Sequence, residues 1–175
     1  NGFPTPSGKM EFTSSLLEKH ADALGLEALP TYLEPKLSPE SAPDVAKDYP
    51  LILQTGVRLP MFVHSRTFRL PWTRSLRPDA MVDLNPADAT RFGIAQGDRV
   101  ELSTPYGSIE VKANISELVY PGAANMFHDY PEADVNTLLA GDYRDPNSGF
   151  PGFKSSLCAV RKVAPGTSGV EGARS

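Results

Sequence analysis

Between Leu51 and Phe68 an apolar run, Leu51-Ile52-Leu53, stops at Gln54-Thr55-Gly56, and Arg58 and His64-Ser65-Arg66 follow. A buried strand that ends in a glycine turn brings backbone N–H groups to the rim of a sheet. Gly56 there allows a close approach or a positive φ. Arg58 carries a planar donor fork suited to phosphate, and Ser65 adds a hydroxyl. Together they suit a phosphorylated ligand. His64 follows an apolar stretch with no second ligand at metal spacing, so metal binding is not expected. Asn136 and Lys154 bracket a loop rich in Asp, Asn, Gly and Pro. The Asn136 amide can pair a donor and an acceptor with the edge of a heterocycle, and Lys154 can neutralise a phosphate. Alternatively they are an Asx turn and a surface lysine. Phe153 suits either a ring contact or the core. His128-Asp129 looks like an acid–base pair, but neighbours on a strand point to opposite faces, and a structural role is expected. Cys158, the single cysteine, lies in the apolar run Leu157-Cys158-Ala159-Val160 and is expected in the core.

These residues need a frame of short elements. Leu51–Leu53 and Ala80–Leu84 read as strands, the first as a continuous apolar run and the second by alternation. Asn85-Pro86 opens a helix that Gly93 stops. Val100–Thr104 and Ser108–Ile115 form a hairpin about Pro105-Tyr106-Gly107, with Ile109, Val111, Ala113 and Ile115 facing inward. Ala123–Phe127 and Ser156–Val163 supply two more strands, and Trp72–Arg77 is helical or irregular. Towards the N-terminus, Met10–Phe12 is expected to be a short strand, and a helix capped by Ser14 or Ser15 runs to Leu24 and stops at Gly25. Pro30, Pro35, Pro39 and Pro43 predict an extended connector over Leu29–Lys47, without regular helix or central strand. The division expected is a lead-in and connector over 1–47, a compact domain over 48–164 and a disordered tail over 165–175.

The 175 residues, 40% hydrophobic and 22% charged, fit one globular domain. Seventeen prolines and fourteen glycines break the chain into the short elements of a mainly β barrel or sandwich. A net charge of −4 argues against broad nucleic-acid binding. No apolar run approaches the ~20 residues of a membrane helix, so direct membrane insertion is not expected. No signal-peptide pattern is visible, and a start at Asn1 rather than Met suggests an excised piece of a longer protein.

Thr5-Pro6-Ser7-Gly8-Lys9-Met10-Glu11-Phe12 resembles the lead-in of molybdenum and tungsten oxidoreductases of the dimethyl sulfoxide reductase family. Tyr49–Leu53, Thr55-Gly56, Arg58 and His64-Ser65 resemble the start of that family's C-terminal domain. Asn85–Ala89, Gly93-Ile94, Gly97-Asp98 and Val100 resemble its central block. Asn136, Leu138, Asp145-Pro146, Ser148-Gly149 and Lys154 resemble its closing segment. Many relatives read T-G-R, whereas Val57 separates Gly56 from Arg58 here.

The resemblance implies a six-stranded double-psi β-barrel of the aspartate-decarboxylase-like kind, with short helices. It also implies a domain that binds bis-(molybdopterin guanine dinucleotide) carrying Mo or W, through Thr55, Gly56, Arg58, His64, Ser65, Asn136 and Lys154. No catalytic residue or metal ligand is expected in this chain. A 4Fe–4S cluster, where one exists, would lie N-terminal to it. Expected partners are the remaining domains of the same oxidoreductase chain and electron-transfer subunits, in the cytoplasm or periplasm of a prokaryotic-type cell; the piece alone is expected to be inactive. The alternative is a double-psi barrel that binds a protein partner through an exposed apolar groove. Self-processing decarboxylases with the same barrel cleave at a Gly-Ser bond, but Gly107-Ser108 is read as an ordinary hairpin.

Overall fold

The computed structural model describes residues 2–164 except 30, 65, 143, 146–148 and 155. The strands are β1 (Leu51–Gln54), β2 (Met81–Leu84), β3 (Arg99–Thr104), β4 (Gly107–Ile115), β5 (Ala123–Met126) and β6 (Ser156–Lys162). They close into a barrel in the order β1-β5-β2-β4-β3-β6. Two pairs are parallel, β1 with β5 and β2 with β4, and the other four are antiparallel. Exchanging the first three strands for the last three maps this list of pairs onto itself. This is the double-psi β-barrel.

Alternation along the strands fills the interior. Leu51, Leu53, Val82, Leu84, Val100, Leu102, Ala113, Ala124 and Met126 have no exposed surface. Each large side chain among them contributes roughly 1.5–3 kcal/mol by leaving water. Cys158 sits in the same core, and burial pushes its thiol far up from the ordinary range.

The helices follow their caps. Helix α1 (Ser15–Leu24) starts under the Ser14 hydroxyl, which accepts from Leu17 N–H at 3.2 Å, and ends at left-handed Gly25. None of its residues is buried. Helix α3 (Pro71–Arg74) is a single turn, and α4 (Pro86–Phe92) follows the Asn85 cap and stops at Gly93, as the sequence predicts. Two N-terminal expectations fail. Met10–Phe12 forms no strand: no neighbouring strand pairs with it, and Phe12 is 80% exposed. The proline-rich connector does contain a helix, α2 (Pro43–Asp48). Pro43 stands in its first turn, where a missing N–H costs nothing.

Because β1 and β5 are parallel neighbours, their C-terminal ends open at the same end of the barrel. The antiparallel β6 begins there too, with Ser156 opposite Leu53. The two long connections, residues 55–80 and 127–155, therefore meet at one end.

Candidate functional site

The connection over 55–80 leaves β1 at Thr55. Its N–H and its hydroxyl both donate to the carbonyl of Phe153, each at 2.9 Å, tying the start of this connection to the segment before β6. Thr55 is buried and its hydroxyl is bound to this structural contact. Gly56 comes next in ordinary backbone. A Cβ there would lie 3.0 Å from Phe153 Cβ and 3.3 Å from Lys154 Cε. The glycine is thus favoured by a close approach to Phe153 and Lys154, not by a positive φ.

Leu59 and Phe62 then anchor the chain, with Phe62 fully buried at the end of a 3-10 turn, Pro60–Phe62. Its ring meets Tyr130 edge-on, centroids 5.7 Å apart. The next two residues, Val63 (φ 46°) and His64 (φ 52°), are left-handed. Two consecutive non-glycine residues in that region cost about 1–3 kcal/mol each, more readily tolerated where surrounding structure fixes them. Here the Phe62 anchor and the Thr67 hydroxyl on the Met61 carbonyl hold the turn. His64 is carried to the wall of a cavity.

From the other side, β5 runs out through Phe127, His128 and Asp129. Asp129 is also left-handed, at φ 84°. Val63, His64 and Asp129 are the only non-glycine residues with positive φ among the described residues. Tyr130 is buried, which raises its phenol above the ordinary range, and its hydroxyl donates to the Arg77 carbonyl at 3.0 Å. Pro131–Ala133 and Val135–Leu138 are 3-10 turns. Asp134 caps the second, accepting from Asn136 N–H at 3.0 Å and from Asn136 Nδ2 at 2.9 Å. That turn is seated on the hairpin: Thr104 donates to the Leu138 carbonyl at 2.8 Å, and a Cβ on Gly107 would stand 2.5 Å from the Thr137 oxygen.

The two connections enclose a cavity of about 670 Å³, lined by Thr55, Gly56, His64, Phe68, His128, Asp129, Tyr130, Pro131, Asp134, Val135, Asn136, Phe150 and Phe153. This size is in the range of small-molecule sites. His64 and His128 are stacked in its wall, centroids 5.4 Å apart and planes 9° apart. Arg58 Nη1 contacts His64 Nε2. On the far side of the stack, His128 Nδ1 lies 2.7 Å from Asp129 Oδ1.

Four of the residues expected from the sequence, Thr55, Gly56, His64 and Asn136, line this one cavity. Arg58 and Lys154 are exposed; Arg58 contacts the lining residue His64, and Lys154 Cε would stand 3.3 Å from a Cβ placed on Gly56. Ser65 lies outside the described residues. The expectation that His128 and Asp129 face opposite ways is overturned. The strand ends at Met126, and the left-handed turn at Asp129 folds its carboxylate back onto His128. The aromatic walls of Phe68, Tyr130 and Phe150 were also missed, because they come together only when distant connections return to one end.

The family described as the "Molydopterin dinucleotide binding domain" matches residues 51–157. The chain belongs to this family. Among relatives of this molybdopterin-dinucleotide-binding domain, dopamine dehydroxylase from Eggerthella lenta is 35% identical over 176 residues, covering 94% of this chain and 17% of that protein. Acetylene hydratase from Syntrophotalea acetylenica is 36% identical over 110 residues, covering 63% of this chain and 14% of the relative. In three dimensions, the acetylene hydratase from Pelobacter acetylenicus superimposes with a TM-score of 0.78 at 29% identity, over 93% of this chain and 24% of that one. The chain therefore spans less than a quarter of each of these larger proteins. Family membership favours the cofactor-domain reading over the protein-binding alternative. No helix among the described residues is long and apolar enough to cross a membrane.

Proposed function

We propose that this chain is the cofactor-holding part of a larger molybdenum or tungsten oxidoreductase and that the cavity takes part of a bis-(molybdopterin guanine dinucleotide) cofactor. One observation carries the reading: Thr55, Gly56, His64 and Asn136, from two distant connections, line a single cavity with two cations against its wall. The residues present fit such a group. Phe68, Tyr130, Phe150 and Phe153 offer aromatic walls to a flat ring, and His64 offers a ring nitrogen for hydrogen bonding. Arg58 and Lys154 supply positive charge for a pyrophosphate, Arg58 through a donor fork and Lys154 as a point charge.

When bound, the cofactor supplies the metal at which oxygen atoms or electron pairs are transferred. The work of this chain is to bind, orient and shield, the usual share of a protein in cofactor chemistry. Thr55 fixes the start of the wall by its bonds to Phe153, and the Gly107–Thr137 contact fixes Asn136. The metal ligand, an iron–sulfur cluster where one exists, and the contacts to electron-transfer subunits belong to other parts of the enzyme. Relatives named for a dehydroxylase, a hydratase and a nitrate reductase align with this chain, which supports a cofactor-holding role common to different reactions.

The test fills the cavity in the full-length enzyme with Asn136→Trp. Molybdenum or tungsten per chain, and GMP released by acid hydrolysis, should each fall about tenfold, equivalent to about 1.4 kcal/mol of binding. Full metal and nucleotide content in a folded Asn136→Trp enzyme would overturn the proposal.

A further inference from the structure

Helix α1 has 10 residues, fewer than the ~12–15 that an isolated helix needs to hold in water. The Ser14 cap and the Gly25 stop fix its ends but bury nothing, so packing has to supply the rest of its stability. None of its residues is buried in this chain, and Leu16 is 67% exposed. The sequence of the helix is nevertheless built to pack. Leu17, Ala21 and Leu24 recur at i, i+4 and i+7 with Leu16 beside them, and Glu18, Lys19 and Asp22 fall on the opposite side. The flanks carry the same surplus. Phe3, Met10, Phe12, Leu29, Tyr32 and Leu33 are all exposed, so that eight of the seventeen exposed large hydrophobic residues among those described precede residue 34. Single exposed apolar side chains are ordinary, whereas this concentration in less than a fifth of the chain marks a contact surface.

We infer that the lead-in before residue 34 is a docking arm whose helix α1 seats its Leu16, Leu17, Ala21 and Leu24 face in an apolar groove with a basic rim, formed by a part of the same enzyme chain outside these 175 residues. This inference rests on the proposed reading of the chain as part of a larger oxidoreductase. Two observations select the occupant. The family domain begins at residue 51, after the arm. Yet the match to the dopamine dehydroxylase covers 94% of this chain, and the superposition on the acetylene hydratase covers 93%. Too few residues are left over for the arm to fall outside either match. It accompanies the domain in chains of which this one spans 17% and 24%, so most of the surface it can meet lies in their remainder. The second observation is charge. From Lys9 to Glu27 two lysines stand against four carboxylates, and two of these, Glu18 and Asp22, flank the apolar stripe. An anionic membrane surface disfavours such a helix, since interfacial helices carry Lys and Arg on the polar face. A second copy would bring the same carboxylates together across a twofold axis. A groove rimmed by Lys or Arg complements them, and anchors at i, i+4 and i+7 are the pattern of a helix laid in a groove.

The test uses the full-length enzyme. The photo-crosslinker p-benzoylphenylalanine is placed at Phe12, at Leu16 and, on the polar face of the helix, at Asp22. On irradiation the probes at Phe12 and Leu16 should crosslink to residues of the same polypeptide outside these 175, identified by mass spectrometry of the digest. Their yield should exceed that of the Asp22 probe at least about fivefold, because opposite faces of one helix meet different surroundings. In the unaltered enzyme the backbone amides of residues 17–24 should exchange with deuterium at least about a hundredfold more slowly than in an unfolded peptide of the same sequence. Crosslinks to residues 48–164, to a separate subunit, to lipid or to a second copy, seen as a product of twice the mass, overturn the inference. So do equal yields at the three positions, absence of crosslinks, or exchange at the rate of the unfolded peptide. The cofactor is read separately. If the arm fails these tests while Asn136→Trp depletes the cofactor, only this inference fails. If the crosslinks form as expected while Asn136→Trp keeps its full cofactor content, the cavity's role fails and the docking arm stands.

Discussion

Two aspartates with largely covered side chains, Asp83 and Asp129, have opposite surroundings. Asp83, on β2, is fully engaged: Arg77 Nη2 and Asn114 Nδ2 donate to Oδ1 at 2.7 and 2.8 Å, and Asn125 Nδ2 donates to Oδ2 at 3.0 Å. Asn114 and Asn125 are its register partners on the two flanking strands. Asp129, just after β5, has His128 against one oxygen, the other oxygen unpartnered among the described residues, and a left-handed backbone. The first carboxylate is complete within the fold and belongs to stability. The second is incomplete, and its surroundings sit poorly with a purely structural role. Burial alone does not separate the two; the partner count and the backbone do.

The comparison can be broken most directly at Asp83. Asp83→Ala strands the Arg77 charge in a largely buried place and should cost about 3–5 kcal/mol in urea denaturation of the 175-residue chain. A loss below about 1 kcal/mol would mean that the network is ornamental. The opposite sign is expected at the cavity. Val63→Gly relieves a β-branched residue at φ 46° and should stabilise the chain by about 1 kcal/mol. Asp129→Asn keeps the size of the side chain at a site with one unpartnered oxygen and should change stability by less than about 1 kcal/mol. If it destabilises as Asp83→Ala does, Asp129 is a structural residue after all.

The smallest effect is expected at a half-buried carboxylate. A hydrogen bond from Lys162, followed by the Ala95 N–H, holds Asp98 below its ordinary range. A group with a lowered folded-state pKa stabilises at and above the ordinary carboxylate range and stops doing so as pH falls through its lowered value. Parent and Asp98→Asn should therefore differ slightly in melting temperature at about pH 7 and converge by about pH 2. A difference that persists in acid would point to packing rather than charge.

The strands were legible because period-two alternation and apolar runs report burial directly. Helix α4 was legible because its start and stop, Asn85-Pro86 and Gly93, are local chemistry. Helix α2 was hidden by counting prolines without their position, since Pro43 is harmless in a first turn. For the site, the resemblance placed Thr55, Gly56, His64 and Asn136 on one cavity, but it could not say that the Asn136 amide would bond to Asp134 or the Thr55 hydroxyl to Phe153. Asp129 was set aside by applying strand geometry past the end of the strand. The available signal was an Asp at the exit of β5, a residue type that accepts a left-handed backbone more readily than most.

The exchange symmetry of the strands has a consequence for where novelty can enter this fold. The connections after β2 and β4, residues 85–98 and 116–122, are short and are bonded together, Asn85 Nδ2 to the Val119 carbonyl and Gly122 N–H to Asp88, each at 2.7 Å. Their topological counterparts after β1 and β5 are long and part around the cavity. The six strands thus act as a neutral chassis with two interchangeable ends, of which one is braced and the other fitted out. Lengthening or swapping the segments over 55–80 and 127–155 would alter what is gripped while the strand-to-strand ladders stay as they are.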